Sequence, residues 1–214
     1  MRRLIDDLLD LARIDAGQII IGKTPINLNA IINVTIDSLS TQAQQKQIHV
    51  HKQFDNLPNV VGDQDRLAQV FLNLIDNAIK YTPVGGKIMI AGKVTIGTPQ
   101  QRDQAQPENK PQGKEFAQVT IVDSGPGIAP EDLSRIFERL YRIDKSRKRK
   151  QGMGLGLAIA YNIVQAHGGD IQVESKLNKG TRFTVWLPTK EADVSTLITK
   201  RQMMKQLQKL RSEN

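Results

Sequence analysis

The stretch Phe71-Leu72-Asn73-Leu74-Ile75-Asp76-Asn77-Ala78-Ile79-Lys80-Tyr81 constrains this chain more than any other. Its apolar residues make it read as a buried helix. Yet it carries two carboxamides and a lysine, and positions 73, 77 and 80 share one helical face by their spacing of four and three. Two readings are open at this point. One is a helix with an ordinary polar outer face. The other is a helix that presents hard carboxamide oxygens suited to Mg2+ and, one turn on, a lysine that can meet a phosphate.

The totals narrow the field. A length of 214 residues with 39% hydrophobic content allows one sizeable core plus appendages. No apolar run approaches the ~20 residues that span a bilayer, and Met1-Arg2-Arg3 leads into a mixed acidic and apolar stretch rather than a signal peptide. The absence of cysteine excludes disulfides and thiolate metal sites and suits a cytoplasmic protein. A net charge of +8 points to an anionic partner.

Along the chain, Leu4, Ile5, Leu8, Leu9, Leu11, Ala12 and Ile14 give residues 1–16 a wide apolar stripe, closed by Gly17. This helix must cover its stripe with material outside the chain, a second copy or its own domain. A turn over Pro25–Asn29 leads to a helix from Leu28 to Gln47. Alternation marks a half-buried strand over Ile48–Phe54, with His49 and His51 on its solvent face. Val60–Gly62 is a short strand, and Asp63 can cap the helix that runs to Tyr81. Strands over Lys87–Ile96 and Phe116–Asp123 form a hairpin interrupted by Gly97–Lys114. That insert holds five Gln, three Pro and no aromatic or branched aliphatic residue, the composition of a flexible polar excursion. A short helix over Pro130–Phe137, a basic loop over Arg139–Gln151 and a helix over Leu155–His167 follow. Two strands, Asp170–Ser175 and Thr181–Leu187, then flank the turn Asn178-Lys179-Gly180, and residues 191–214 form a basic tail. The order predicts an α+β fold with a sheet covered by helices on one face.

Three segments carry chemistry. Asp123-Ser124-Gly125-Pro126-Gly127 places a carboxylate at a strand end, where it can accept a hydrogen bond from an exocyclic amine such as that of adenine, with glycines that allow close approach. The same residues are also ordinary turn chemistry. Gly152-Met153-Gly154-Leu155-Gly156-Leu157 precedes a helix whose exposed N–H groups can bind phosphate. A dinucleotide fold would need a strand directly before these glycines, and a Walker loop would need Gly-Lys-Ser/Thr. A phosphate loop behind a flexible lid fits better than either. The lid holds Arg139, Arg142, Lys145, Arg147, Lys148, Arg149 and Lys150 against Glu138 and Asp144, a local charge of +5. Only Tyr141 is aromatic within it, which gives base stacking on nucleic acid little support.

In this order the segments resemble the catalytic and ATP-binding domain of two-component sensor histidine kinases. Asn73 to Tyr81 is similar to the family's N box, Asp123-x-Gly125-x-Gly127 to its G1 box and Ile136 to Arg142 to its F box. Gly152-x-Gly154-x-Gly156-Leu157 is similar to the G2 box, and Gly180-Thr181-Arg182-Phe183 to the last Gly-Thr element. The resemblance covers residues 25–188, with 97–114 as an insert within it. Residues 1–18 resemble the second helix of a dimerisation bundle. The resemblance implies a Bergerat-type two-layer α/β sandwich, a mixed sheet backed by helices. It also implies Mg-ATP as cofactor. Asn73 and Asn77 would hold Mg2+, and Lys80 and Tyr81 would contact phosphates. Asp123 would take the adenine amine, with room made by Gly125, Gly127 and the adjoining Ile128. Thr181 would support the adenine edge, Arg139 and Arg142 would reach the γ-phosphate, and Gly152, Gly154, Leu155, Gly156 and Leu157 would close over the phosphates.

The expected partners are a phosphoacceptor histidine domain and a response regulator, with no nucleic acid and with dimerisation through the full bundle. None of His49, His51 and His167 has the acidic follower of an acceptor histidine, so transfer is expected to a histidine supplied from outside the chain. His167 reads as a helix-end residue before Gly168-Gly169. Relatives that hydrolyse ATP, in the Hsp90, gyrase and MutL groups, place a glutamate where this chain has Asn73, which cannot take a proton from water. The alternatives to a kinase domain are an ATP hydrolase, for which Asp76 would have to act as base, and a regulatory nucleotide-binding module.

Overall fold

A computed structural model describes residues 22, 24–96, 114–143 and 153–189. The expected N-terminal helix, nearly all of the polar insert, most of the basic lid with Gly152, and the tail lie outside the described residues.

The elements run β1 (Thr24–Ile26), α1 (Leu28–Gln45), β2 (His49–Phe54), β3 (Val60–Gly62), α2 (Gln64–Tyr81), β4 (Lys87–Ile96), β5 (Glu115–Asp123), α3 (Pro130–Leu133), α4 (Gly156–Ala166), β6 (Asp170–Lys176) and β7 (Gly180–Pro188). Five strands form a mixed sheet in the order β2-β4-β5-β7-β6, with β2 parallel to β4 and the remaining pairs antiparallel. Helices α1, α2 and α4 supply the second layer.

Periodicity explains the two long helices. Leu28, Ile31, Ile32, Ile36, Leu39 and Ala43 of α1 are buried at three-to-four-residue spacing, and the Asn27 side chain caps the start by accepting from Ala30 N at 3.1 Å. In α2 the apolar stripe is wider, from Leu67 through Val70, Phe71, Leu74, Ile75 and Ala78 to Ile79. It is wide because α2 packs between α1 and α4 and also touches β5. Phe71 is fully buried, and burying such a side chain is worth about 1.5–3 kcal/mol.

The expected turn at Pro25 is instead the strand β1, which pairs antiparallel with β3 in a separate two-stranded sheet. Three residues around a proline carry no period from which a strand can be read. The expected helix Pro130–Phe137 stops at Leu133, because the following residues turn to seat Ile136 and Phe137 on the core. The hairpin across the insert holds, with Ile96 paired to Glu115 and Ile88 to Asp123. His49 and His51 are both exposed. No described helix is long and apolar enough to cross a membrane.

Candidate functional site

The site is built around the end of β5. Ala117, Val119 and Ile121 point alternately into the core and are essentially inaccessible to solvent. Asp123 is next in that row and is itself buried, so the sheet puts a carboxylate in a core position. Burial pushes its carboxyl up from the ordinary carboxylate value, while backbone hydrogen bonds from Gly125 and Thr181 pull it back. The Gly125 N–H donates to Oδ1 at 2.8 Å. Thr181 faces Asp123 directly across β5–β7.

Behind Thr181 stands Ser175, which the sequence did not single out. Its hydroxyl donates to Gly180 O at 2.8 Å, lies 2.9 Å from the Thr181 hydroxyl and accepts the Ile128 N–H at 2.8 Å. One side chain thus ties β7 to the loop that follows Asp123. That loop turns at Gly127, whose φ of +73° and closeness to the Lys176 carbonyl leave no place for a Cβ. A serine on a strand carries no sequence signal for such a role.

The second wall is the polar face of α2. Asn73 is buried, not on an outer face, and its Nδ2 donates to Gly156 O at 3.1 Å. This bond fixes the start of α4 against α2, and so joins the carboxamide stretch to the glycine-rich segment. Asn77 is half-buried one turn on. Lys80 reaches back to the buried Asp76 with Nζ–Oδ2 of 2.7 Å. Tyr81 is 51% exposed, while its carbonyl packs beside Gly125. The last turn of α2 therefore touches the Asp123 loop.

Leu155 is buried at the start of α4, and Leu157 is half-buried beside it. The base of the basic loop is held at both ends, since Leu140 N–H donates to Gly154 O at 3.1 Å and Gly154 packs on the Tyr141 carbonyl and the Arg142 side chain. Phe137 anchors this corner, with its ring 5.1 Å from Tyr161 of α4 and 6.4 Å from Phe183 of β7. Arg135 lies over the Tyr141 ring at 4.3 Å and pairs with Glu138 at 3.2 Å. Arg139 is exposed and Arg142 half-buried at the same corner.

The fold brings the segments of Asn73–Tyr81, Asp123–Ile128, Gly154–Leu157 and Thr181 into one region, with Arg142 at its margin. A buried acceptor, a strand-end turn, a carboxamide face and the first turn of a helix make a lining suited to an aminated base at one end and to anions at the other.

Comparison with known proteins agrees with this fold. The family described as histidine kinase-, DNA gyrase B-, and HSP90-like ATPase matches residues 62–191. The chain is 37% identical over 89% of its length to sensor histidine kinase WalK of Bacillus subtilis (strain 168), and 33% identical over 88% to signal transduction histidine-protein kinase BaeS of Escherichia coli (strain K12). It spans only 29% and 37% of those proteins. Among solved structures, full-length ShkA in complex with AMPPNP is similar at a TM-score of 0.69 and 27% identity, over 87% of this chain and 35% of that one. The catalytic domain of histidine kinase ThkA is similar at a TM-score of 0.62 and 28% identity, over 78% of this chain and 95% of that one.

Proposed function

Because the chain belongs to the histidine kinase-, DNA gyrase B-, and HSP90-like ATPase family, we propose that it is the Mg-ATP-binding catalytic domain of a sensor histidine kinase, which transfers the γ-phosphoryl group to an acceptor histidine. Full-length relatives of the kinase branch and the AMPPNP-bound neighbour support this reading. The observation that carries it is Asn73. The family contains both hydrolases and kinases, and here the buried residue at the α2–α4 junction is an amide that hydrogen-bonds Gly156 O. An amide has no base with which to activate water, whereas phosphoryl transfer to an incoming imidazole needs none from the chain. In that step the imidazole nitrogen forms the N–P bond, the bond from the γ-phosphorus to the β,γ-bridging oxygen breaks, and ADP leaves.

Asp123 would accept from the adenine amine, with Gly125 and Gly127 shaping the turn and Thr181 held at the edge by Ser175. Asn77, Lys80 and Tyr81 would face the phosphates from the last turn of α2. Gly154, Leu155, Gly156 and Leu157 would bring the first N–H groups of α4 to them, and Arg139 and Arg142 would approach from the lid. The donor set fits Mg2+, since Asn73 and Asn77 offer hard carboxamide oxygens and this ion takes few protein ligands beside phosphate oxygens. When bound, Mg2+ would neutralise charge on the triphosphate.

His49 and His51 are exposed on a strand, and His167 is buried with both ring nitrogens engaged. None of the three has the acidic follower of an acceptor histidine, and the acceptor is expected on a dimerisation bundle outside residues 1–214, in the same full-length protein or in a partner protomer, with a response regulator as the next partner.

Calorimetric titration with Mg-AMPPNP tests binding, and the absence of heat would remove the proposal. Transfer is tested with radiolabelled ATP and a helical-bundle protein that carries an acceptor histidine. Label on the bundle that is lost with Asn77→Ala supports the reading. Label that is indifferent to that change defeats it, and steady phosphate release without any acceptor would favour a hydrolase.

A further inference from the structure

An α-helix leaves its last carbonyls without partners and carries a partial negative charge at that end. In α2 this is the end that bears Asn77, Lys80 and Tyr81. It is closed from outside by Lys46, the residue that ends α1. The Lys46 ammonium donates to Ile79 O at 2.7 Å, Lys80 O at 2.9 Å and Thr82 O at 2.6 Å. A lysine has three N–H donors, and here each meets a carbonyl. The Lys46 backbone joins the same region, since its carbonyl accepts the Gly85 N–H at 3.0 Å. Gly86 O in turn accepts the His49 N–H at 2.9 Å, and Ser124, next to Asp123, exchanges bonds with Lys87 through its N–H at 3.0 Å and its hydroxyl at 2.8 Å. One continuous set of bonds thus runs from the end of α1, over the last turn of α2, to the carboxylate loop.

We infer that Lys46 is a positioning residue for nucleotide binding: it fixes the last turn of α2, and through it Lys80, Tyr81 and the Gly125 backbone that packs on the Tyr81 carbonyl. The role follows from charge as well as geometry. The negative end of a helix beside an anionic ligand opposes binding, and a cation seated on its carbonyls offsets that field. Methionine in place of Lys46 keeps the stem and leaves three carbonyls without their donor. Arginine keeps the charge, but its planar fork cannot reproduce the pyramidal triple contact. Lys46 acts only through α2 and not by contact with the ligand.

The inference rests on the nucleotide-binding reading above, and two measurements separate the two. The first is hydrogen exchange on the nucleotide-free 214-residue chain. Lys46→Met is expected to speed exchange at the Tyr81, Thr82, Gly85 and Gly86 amides while leaving Leu67 to Leu74 unchanged. Unaltered exchange in that turn overturns the inference whether or not the protein binds nucleotide. Failure of the unaltered chain to bind overturns the functional proposal instead. The second is Mg-AMPPNP affinity in a mutant cycle. Lys46→Met is expected to weaken binding about tenfold, Lys46→Arg less, and Lys46→Met added to Lys80→Ala/Tyr81→Ala only about threefold, the remainder acting through the Tyr81 carbonyl and the helix-end charge that this background keeps. A full penalty retained in that background overturns the inference. So does an equal loss from Ile32→Val, a core change on α1 that lowers stability without touching the α2 terminus. Lys46→Gln serves the same comparisons if the methionine variant does not fold.

Discussion

The two ends of α2 are both closed by a titratable side chain from another element, and they ask opposite things of it. At the N-terminus the helix needs acceptors. Asp63 accepts the Arg66 N–H at 3.1 Å, and the His167 Nε2 accepts the Asp63 N–H at 3.0 Å. At the C-terminus the helix needs donors, and the Lys46 ammonium supplies three. The imidazole must therefore be neutral, with Nδ1–H directed to Ile163 O at 2.7 Å, whereas the lysine must be charged. Burial pushes His167 down from its ordinary value, against the smaller opposing pulls of the Ile163 carbonyl and the Asp63 carboxylate. Burial also lowers Lys46, from an ordinary value far above neutrality. The helix that carries the candidate phosphate-binding face is thus acid-sensitive at the end remote from that face and insensitive to mild acid at the end that adjoins it.

The His167 end of α2 is most vulnerable at Gly62. A Cβ there would overlap His167 Cδ2 and lie 2.6 Å from Nε2, on a ring already held by two hydrogen bonds. Gly62→Ala is expected to cost about 2–3 kcal/mol, read as a lower urea midpoint at unchanged m-value. A cost near zero would mean that the imidazole is not locked.

A smaller effect comes from pH. The folded-state pKa of His167 is depressed, so the unfolded chain binds more protons as acidity rises. Its stabilising contribution is fully present above the unfolded value of about 6.5 and is lost as pH falls from there through the folded value. Loss of the bond to Asp63 N–H is worth about 1 kcal/mol. Urea titrations between pH 7 and pH 5 should show a slope that His167→Gln flattens, and equal slopes in the two proteins would remove the neutral-acceptor assignment.

The smallest effect has the opposite sign. Thr82 is fully buried at the Lys46 end, and its hydroxyl has no partner among the described residues. Thr82→Val keeps the shape and removes an unpaired polar atom, so stability should rise by up to about 1 kcal/mol. Destabilisation by a similar amount would show that the hydroxyl is bonded after all.

Much of this arrangement is legible in the residues. Alternation marks β4 and β5 as a hairpin on either side of an insert, and Asp63 marks the start of α2. The order of the Asn, Asp-Gly, aromatic and Gly-rich segments marks the family. Other features are not legible, for identifiable reasons. Asn73 looks like a surface residue by helical position alone, and it is buried because α4 packs on that face with Gly156 against it. The short strand β1 has no period of its own and exists only because β3 pairs with it. Ser175, Lys46 and His167 are common residues, and each bonds at least one partner far along the chain, 47, 33–36 and 104 positions away.

By itself, then, the sequence determined the helices α1, α2 and α4, most of the described strands and the α+β class, because periodicity and capping act over a few neighbouring residues. The tertiary structure alone decided that Asp123 occupies a core row, that β2 runs parallel to β4, and that Lys46 and His167 close the two ends of one helix. Those outcomes depend on which distant surfaces bury one another, and no local pattern encodes that choice.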